Sequence, residues 1–303
     1  MQIANPIYDT VFKYMMSDNK VAKALLSAII GEKIVELVFS PQERIVKADA
    51  DKRKLDKTLE QLTVCHFDFK AQIETDGGYK TVLIELQKAK LATDIMRFRR
   101  YLGELYQDKK NSFDAKNTKP RQIYCIYFLN YEIGLSDGPI IKVDYTAWDY
   151  TTGEKIEGKS EFVDGLNHLS WIVQIRKLKE KRRNELENLL SIFDQTYTSG
   201  DKHILEIDEN QYPEKYRFII RKLLEAFASK EVREQMQIED DFFSELLMKE
   251  EIIVKQSEEL IKKDGIIVEK DGVIAEKDGV IAEKEARIAE LERKLELTKN
   301  PTE

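Results

Sequence analysis

Three side chains in two neighbouring segments have the types and spacing for metal-dependent chemistry: Asp68 in "HFDFKAQIE", and Glu85 and Gln87 in "TVLIELQ". The "ETDGGYK" between these segments is a turn signal flanked by alternating residues, so we predict a two-stranded hairpin. If "DG" is the two-residue turn, Asp68 faces Glu85; if the turn centres on "GG", Asp68 faces Gln87. In both registers the three side chains point to one side, because strand side chains alternate with period two.

The polar side of this hairpin has two interpretations. It can be the solvated face of a half-exposed sheet. Two details favour a binding site instead: like charges directly opposite each other destabilise a strand pair, and the residues around Glu85 are apolar on both sides, as in a strand covered on both faces. An acid there is costly unless it is paired or binds metal. Two carboxylates and an amide oxygen suit Mg²⁺ or Mn²⁺, which can activate water and stabilise charge developing on a phosphate.

The composition limits the kind of protein that carries this site. Of 303 residues, 42% are hydrophobic, which is enough for a core, and 35% are charged, which indicates long exposed helices. The N-terminus lacks the pattern of a signal peptide, and no apolar run is long enough for a membrane span. We interpret Cys65 and Cys125 as reduced thiols of a cytoplasmic protein, and no cysteine–histidine cluster indicates zinc.

The charge distribution leaves nucleic-acid binding open. The net charge is −7, and residues 256–303 hold 9 basic and 13 acidic side chains, so this tail carries −4 and the remaining body −3. A nearly balanced body can still hold a local basic groove, so the charge neither supports nor excludes DNA.

The hydrophobic pattern predicts the elements around the hairpin. "NPIYDTVFKYMMSDNKVAKALLSAIIG" predicts two short helices, the second capped by Asp18 or Asn19 and ended by Gly31. "KIVELVF" indicates a strand, 92–110 a helix, and "RQIYCIYFLNYEI" a central strand. Residues 140–176 suggest further strands or a hairpin. From there we predict mostly helices: 179–197, 213–228 and a long run from about 239.

The tail repeats "DGIIVEK" and "DGVIAEK" with a period of seven. One heptad position is apolar in every repeat, as in a left-handed coiled coil: Ile267, Ile274, Ile281, Ile288 and Leu295. The other seam position holds lysines, and a glycine in each of three repeats costs a helix on the order of 1 kcal/mol. We therefore expect a weak or conditional coiled coil that joins copies of the chain; the alternative is a charged single helix or a frayed tail.

An acid on one strand followed by "E-x-[QK]" on the next resembles the PD-(D/E)XK nuclease superfamily. More narrowly, "NPIYDTVFKYMM", "FDFKAQIETDGGYKTVLIELQK", "RFRRYLGELY" and "QIYCIYFLN" resemble the bacterial recombination-promoting nuclease and transposase family. This resemblance covers about residues 1–175. It implies an α/β fold with a restriction-endonuclease-like core, a central mixed sheet flanked by helices. The chain would then divide into a nuclease-like domain (1–175), a helical extension (176–255) and a coiled-coil tail (256–303).

Mapped onto this chain, the resemblance makes Asp68 and Glu85 the Mg²⁺ ligands and puts Gln87 where the superfamily has a lysine that orients water. Gln87 can coordinate metal or orient water but supplies no positive charge. Lys88 points to the opposite face, so Lys70, on the same face as Asp68, is the better candidate for a nearby cation.

Two further sets of residues have a functional and a simple interpretation. In the family the first helix can contribute an acid, which would be Asp9; an ion pair between Asp9 and Lys13, four residues apart, explains it equally. The DNA-binding candidates are basic or aromatic residues that could hold phosphates, or simply solvated surface. These candidates are Arg97, Arg100, Tyr101, Lys177, Arg182 and Arg183.

The sequence thus supports a first hypothesis and a rival. The first is an Mg²⁺-dependent DNA endonuclease (Mn²⁺ can replace Mg²⁺) linked to recombination or transposition in bacteria; a host-defence nuclease would share its chemistry. The rival is a catalytically inactive DNA- or protein-binding oligomer assembled through the tail. DNA and further copies of the chain are the expected partners, with no membrane.

Overall fold

The computed structural model describes residues 1–39, 69–88, 94–107, 121–158, 160–179 and 183–299, and within these ranges the protein is of the α/β class. The strands are β1 (Gln2–Ala4), β2 (Ile34–Phe39), β3 (Phe69–Thr75), β4 (Gly78–Gln87), β5 (Gln122–Leu129), β6 (Ile140–Val143), β7 (His168–Gln174) and β8 (Ile204–Glu206). The helices are α1 (Asp9–Met16), α2 (Asn19–Ile30), α3 (Asp94–Gln107), α4 (Glu161–Leu166), α5 (Glu185–Leu190), α6 (Arg217–Ala228) and α7 (Lys230–Lys299).

The two predicted N-terminal helices are confirmed, and the second has the predicted ends. The Asp18 carboxylate accepts hydrogen bonds from the backbone N–H groups of Lys20 and Val21, so it caps α2 and satisfies two donors of its first turn. Gly31 ends α2 with φ of 78°, a left-handed conformation that glycine adopts without steric cost.

A mixed six-stranded sheet in the order β2-β3-β4-β5-β7-β6 forms the centre of the described fold. β4, β5 and β7 run parallel, and the other neighbours are antiparallel. The prediction of a central mixed sheet flanked by helices is therefore confirmed. The β3–β4 register joins Phe69 to Ile84 and Thr75 to Gly78, so "DG" forms the two-residue turn.

The two faces of this sheet bury cores of different size. The larger core contains Ile84 and Leu86 of β4, together with side chains of α1, α2 and α6. The smaller core lies on the opposite face, because Leu83 belongs to it and strand side chains alternate. α3 covers the smaller core through Phe98, Tyr101 and Leu105. Each such side chain stabilises the fold by about 1.5–3 kcal/mol when it is fully buried.

The fold differs from the sequence prediction in three places. "EFVDGL" forms the short helix α4 rather than a strand. The helix predicted over 179–197 is shorter, since α5 spans Glu185–Leu190 and short 3-10 turns follow it within the described residues. β1 and β8 were missed, because each has three residues and is defined by pairing with a segment 200 residues away.

The structure consists of two compact units, Met1–Phe243 and Ser244–Glu303. The first unit extends beyond residue 175, where the sequence suggested a separate helical extension: Ile219, Ile220 and Leu223 of α6 are part of the larger core. In the second unit the described residues to 299 are helical, and the three repeat glycines do not interrupt the helix. Among the described helices, none is both long and apolar enough to cross a membrane.

Candidate functional site

Glu85 and Gln87 lie near the carboxyl end of β4, in the middle of the sheet. They are 2% and 6% exposed. The alternation of strand side chains puts both on the face of Leu83, above the smaller core. On the parallel neighbour β5, Tyr127 is the register partner of Glu85. The sequence expectation that β4 is covered on both faces around Glu85 is confirmed, because every residue of β4 from Lys80 to Gln87 is buried.

The negative charge of Glu85 acts on a phenol and a thiol of β5. Burial raises the pKa of the Cys125 thiol to about 12, and the Glu85 charge contributes to this rise, while a hydrogen bond with Tyr127 opposes it. Burial also raises the pKa of Tyr127, with further contributions from Cys125 and Glu85. Both groups are therefore neutral at physiological pH, and the carboxylate is surrounded by uncharged neighbours on this strand.

The predicted partners of Glu85 on β3 are described only in part. Asp68 lies outside the described residues. Lys70 is half-buried and pairs with Leu83, so its side chain lies on the same face of the hairpin as Glu85. The described β3–β4 pairs follow the "DG" register, the one of the two alternatives in which the sequence predicts Asp68 opposite Glu85.

The oxygen atoms that Glu85 and Gln87 offer are of the kind that a hard cation such as Mg²⁺ binds. Glu85 supplies carboxylate oxygens and Gln87 an amide oxygen, and Mg²⁺ prefers oxygen ligands while keeping several waters. Within the described ranges, no group of three or more His, Cys, Asp or Glu side chains is placed to hold a metal ion. A complete metal site at Glu85 would thus need a ligand such as Asp68, from outside these ranges.

Asp9 belongs to the opposite side of the sheet. Its helix, α1, packs into the larger core through Val11 and Phe12. The Asp9 carboxylate pairs with Lys13 at 2.6 Å, which is the simple i, i+4 ion pair. The structure therefore places Asp9 with the larger core, whereas Glu85 faces the smaller one.

Two of the DNA-binding candidates on α3 are directed towards the sheet. Tyr101 is 2% exposed and is part of the smaller core, so its ring serves packing. Arg97 is half-buried, with its guanidinium carbon 5.6 Å from the centre of the Phe98 ring. Arg100 is exposed on the same helix.

The candidates after β7 are engaged in local contacts where they are described. Lys177 donates to the Ser136 carbonyl at 2.9 Å and pairs with Glu132 at 3.3 Å. These two contacts attach Lys177 to the segment between β5 and β6. Arg183 pairs with the buried Glu187 at 2.9 Å, although its own side chain is 64% exposed. Arg182 lies outside the described residues.

Sequence reasoning missed a charged cluster where the end of β4 meets the larger-core side. The Lys88 ammonium lies 2.7 Å from Glu239 of α7 and 3.4 Å from the centre of the Tyr8 ring. Glu239 also accepts from the first backbone N–H group of α1, at 3.0 Å from Asp9. Tyr8 donates to Asp240 at 3.0 Å. Residues near 8, 88 and 240 have no common sequence signal, so only the fold brings them together.

Protonation in this cluster follows from burial and pairing. Burial lowers the pKa of Lys88, and Glu239 and Asp240 oppose that shift. Burial acts to raise the pKa of Asp240, but hydrogen bonds from Lys202, His203 and Tyr8 outweigh it and lower the pKa. His203 lies 2.8 Å from the Asp240 carboxylate. The position of Lys88 agrees with the sequence expectation that it points away from the face of Gln87.

Comparison of the chain with protein-family models, with curated proteins and with solved structures found no match.

Proposed function

We propose that the protein is an Mg²⁺-dependent endonuclease that hydrolyses phosphodiester bonds in DNA, built on a restriction-endonuclease-like core. The observation that supports this proposal best is Glu85, an acid that is 2% exposed on a central strand, with Gln87 beside it on the same face. A carboxylate and an amide on one face of a central strand are oxygen donors of the kind that Mg²⁺ binds. The place of Glu85 near the carboxyl end of parallel strands also matches where open α/β sheets bind ligands.

Each residue of the proposed site has a separate role. Glu85 and Asp68 hold the metal through carboxylate oxygens, and Gln87 completes the set of oxygen ligands or orients the attacking water. Lys70, half-buried on the same hairpin face, supplies the positive charge that Gln87 lacks. When bound, Mg²⁺ stabilises the negative charge that develops on the phosphate. The setting that we propose is recombination or mobile-element activity in the bacterial cytoplasm.

Plasmid nicking by the purified full chain tests the proposal. We expect nicking with Mg²⁺ or Mn²⁺ and none with EDTA. Glu85→Gln keeps the shape of the side chain but removes its charge, and Asp68→Asn does the same for the second acid. Each change should lower the nicking rate by at least about 100-fold, since even outer partners of metal ligands are worth 10–100-fold.

Glu74→Gln is the matched control, because Glu74 is a half-buried acid of the same hairpin, at the other end of β3. It should leave the rate within about twofold. Circular dichroism and thermal melts establish that each variant is folded. Equal rates for wild type and Glu85→Gln, with both proteins folded, would rule out the metal site at Glu85.

A second candidate function, assembly through the tail, is favoured by the exposed apolar residues of the second unit. The heptad position shared by Ile267, Ile274 and Ile281 is 52–55% exposed on every turn of the repeat. Such a row is typical of a helix that pairs with another helix. We propose that a second copy of this chain covers it, which could also support a binding oligomer without catalysis.

Sedimentation velocity of full-length variants tests the assembly. Ile274→Asp with Ile281→Asp should give monomers at concentrations where the wild type is larger than a monomer. The control, Ala275→Asp with Ala282→Asp, adds the same charge one position away from the row and should sediment like the wild type. A monomeric wild type at concentrations up to about 100 µM would reject assembly through the tail.

A further inference from the structure

A cleft lies at the amino end of the parallel strands. It has a volume of about 1140 Å³ and is lined by the hairpin turn, the first residues of β5 and parts of the segment 144–164. Ligand clefts usually measure about 300–1,000 Å³, so this one is large enough for a metabolite-sized molecule.

Arg121, directly before β5, is a residue of this cleft whose buried nitrogens are only partly satisfied by the described part of the chain. Its Nε and Nη1 atoms are buried and have no hydrogen-bond partner among the described residues. Its guanidinium carbon lies 6.0 Å from the centre of the Tyr79 ring, which lines the same cleft. A buried polar group without a partner costs about 1–3 kcal/mol, and more when it is charged. A ligand that completes the hydrogen bonds of this arginine would remove that free-energy cost.

The other two cations of the cleft are already paired. The Lys80 ammonium is 3% exposed and binds the Glu32 carboxylate. Lys155 pairs with Glu157 at 3.1 Å. Arg121 is therefore the cation in the described cleft that is most available to an anion.

The acids of the cleft limit what that anion can be. Four acidic side chains line it against three basic ones: Glu32, Asp144, Glu161 and Asp164 against Lys80, Arg121 and Lys155. This balance opposes a polyanion such as duplex DNA, because like charges repel in a partly desolvated site. It admits a ligand with one anionic group, whose hydroxyl or amino groups can donate to carboxylate oxygens.

We propose that this cleft binds a small molecule through one phosphate or carboxylate group, held by the planar donor fork of Arg121. Arginine presents parallel N–H groups that match two oxygens of either anion. The site is separate from the proposed nuclease site, because Tyr79 and Glu85 are six residues apart on β4, on the order of 20 Å. The proposal therefore holds whether or not the protein cleaves DNA.

Isothermal titration of the full chain with inorganic phosphate, acetate and adenosine monophosphate tests this site. We expect saturable binding of at least one probe with one site per chain. Binding of phosphate without acetate would indicate a phosphorylated ligand, and the reverse a carboxylate. Tighter binding of adenosine monophosphate than of phosphate would show that the body of the ligand contributes.

Variants at Arg121 assign the binding to the cleft. Arg121→Gln should weaken the affinity for the probe at least tenfold. Arg121→Lys keeps the charge but loses the planar donor fork, so its affinity should lie between those of the wild type and Arg121→Gln. Arg99→Gln, the same change at an exposed arginine of α3, should bind like the wild type. The bound probe should raise the melting temperature of the wild type and of Arg99→Gln but not of Arg121→Gln, which also establishes that this variant folds.

Two results would overturn the proposal: no saturable binding of any probe by the wild type, or equal affinity in Arg121→Gln and Arg99→Gln. Glu85→Gln separates this site from the nuclease site, since it should lose nicking and still bind the probe.

Discussion

The two faces of the central sheet differ in the partners of their buried polar groups. On the larger-core face, Lys80 is paired with Glu32 and Lys88 with Glu239. On the smaller-core face, the Thr81 hydroxyl and two nitrogens of Arg121 are buried without a hydrogen-bond partner among the described residues. Within β4, the paired Lys80 directly precedes Thr81, whose hydroxyl has no partner among the described residues.

This difference separates stabilising polar groups from candidate functional ones. A buried ion pair with further hydrogen bonds keeps its charges compensated, and Glu32 also accepts from Thr75 and from Tyr124 at 2.8 and 2.9 Å. The smaller-core face instead carries the buried Glu85 and Gln87 beside neutral neighbours. A buried polar group that has no partner among the described residues, such as the two nitrogens of Arg121, is one that ligand binding would explain.

The largest effect on stability is expected for the paired face. Glu32→Ala leaves the Lys80 ammonium, which is 3% exposed, without its carboxylate. Breaking a buried pair costs about 3–5 kcal/mol, and the 34% exposure of the Glu32 side chain puts this pair at the lower end of that range. Urea unfolding followed by circular dichroism should show this loss in the free energy of unfolding.

Glu36→Ala is the control, since Glu36 is an exposed acid of β2. It should change the free energy of unfolding by less than about 0.5 kcal/mol. Similar values for the two variants would mean that the Lys80 pair does not stabilise this face.

A smaller and pH-dependent effect is expected at Asp240. The folded state lowers the pKa of this carboxyl below its ordinary value of 3.8, through hydrogen bonds that outweigh burial. Its stabilisation is therefore present above pH 3.8 and is lost as the pH falls through the lower folded pKa. Asp240→Asn should cost about 1.5–3 kcal/mol at pH 7, the value of hydrogen bonds to a charged group, and less as the pH falls below 3.8.

Unfolding free energies of wild type and Asp240→Asn between pH 7 and pH 2 measure this dependence. Asp241→Asn, an exposed neighbour on α7, serves as control. A difference between wild type and Asp240→Asn that stays constant from pH 7 to pH 2 would contradict the assignment.

The smallest effect is expected on the smaller-core face and has the opposite sign. Thr81→Val keeps the shape of the side chain and removes a buried hydroxyl for which no described residue is a partner, so it should stabilise the protein by about 1 kcal/mol. Thr75→Val is the matched control, because the Thr75 hydroxyl donates to Glu32 at 2.8 Å; it should destabilise. Urea midpoints decide between them, and destabilisation by Thr81→Val would show that the two faces are alike.

The sequence by itself determined the local elements around the candidate site. Asp18 and Gly31 fixed the ends of α2, since capping and left-handed backbone depend on the residues themselves. The turn signal "ETDGGYK" with its alternating flanks predicted β3 and β4, and the dense apolar run of β5 predicted its central place. The choice between the "DG" and "GG" registers came only from the structure. The burial of Glu85 followed from the apolar residues on both sides of it.

Only the tertiary structure decided which charges are paired and which small segments form strands. Lys88 meets Tyr8, Glu239 and Asp240 from distant parts of the chain, and the pairing of β1 with β8 joins segments 200 residues apart. The Arg121 cleft likewise combines the hairpin turn with the segment 144–164. These contacts depend on packing between elements, for which neighbouring residues carry no periodic signal.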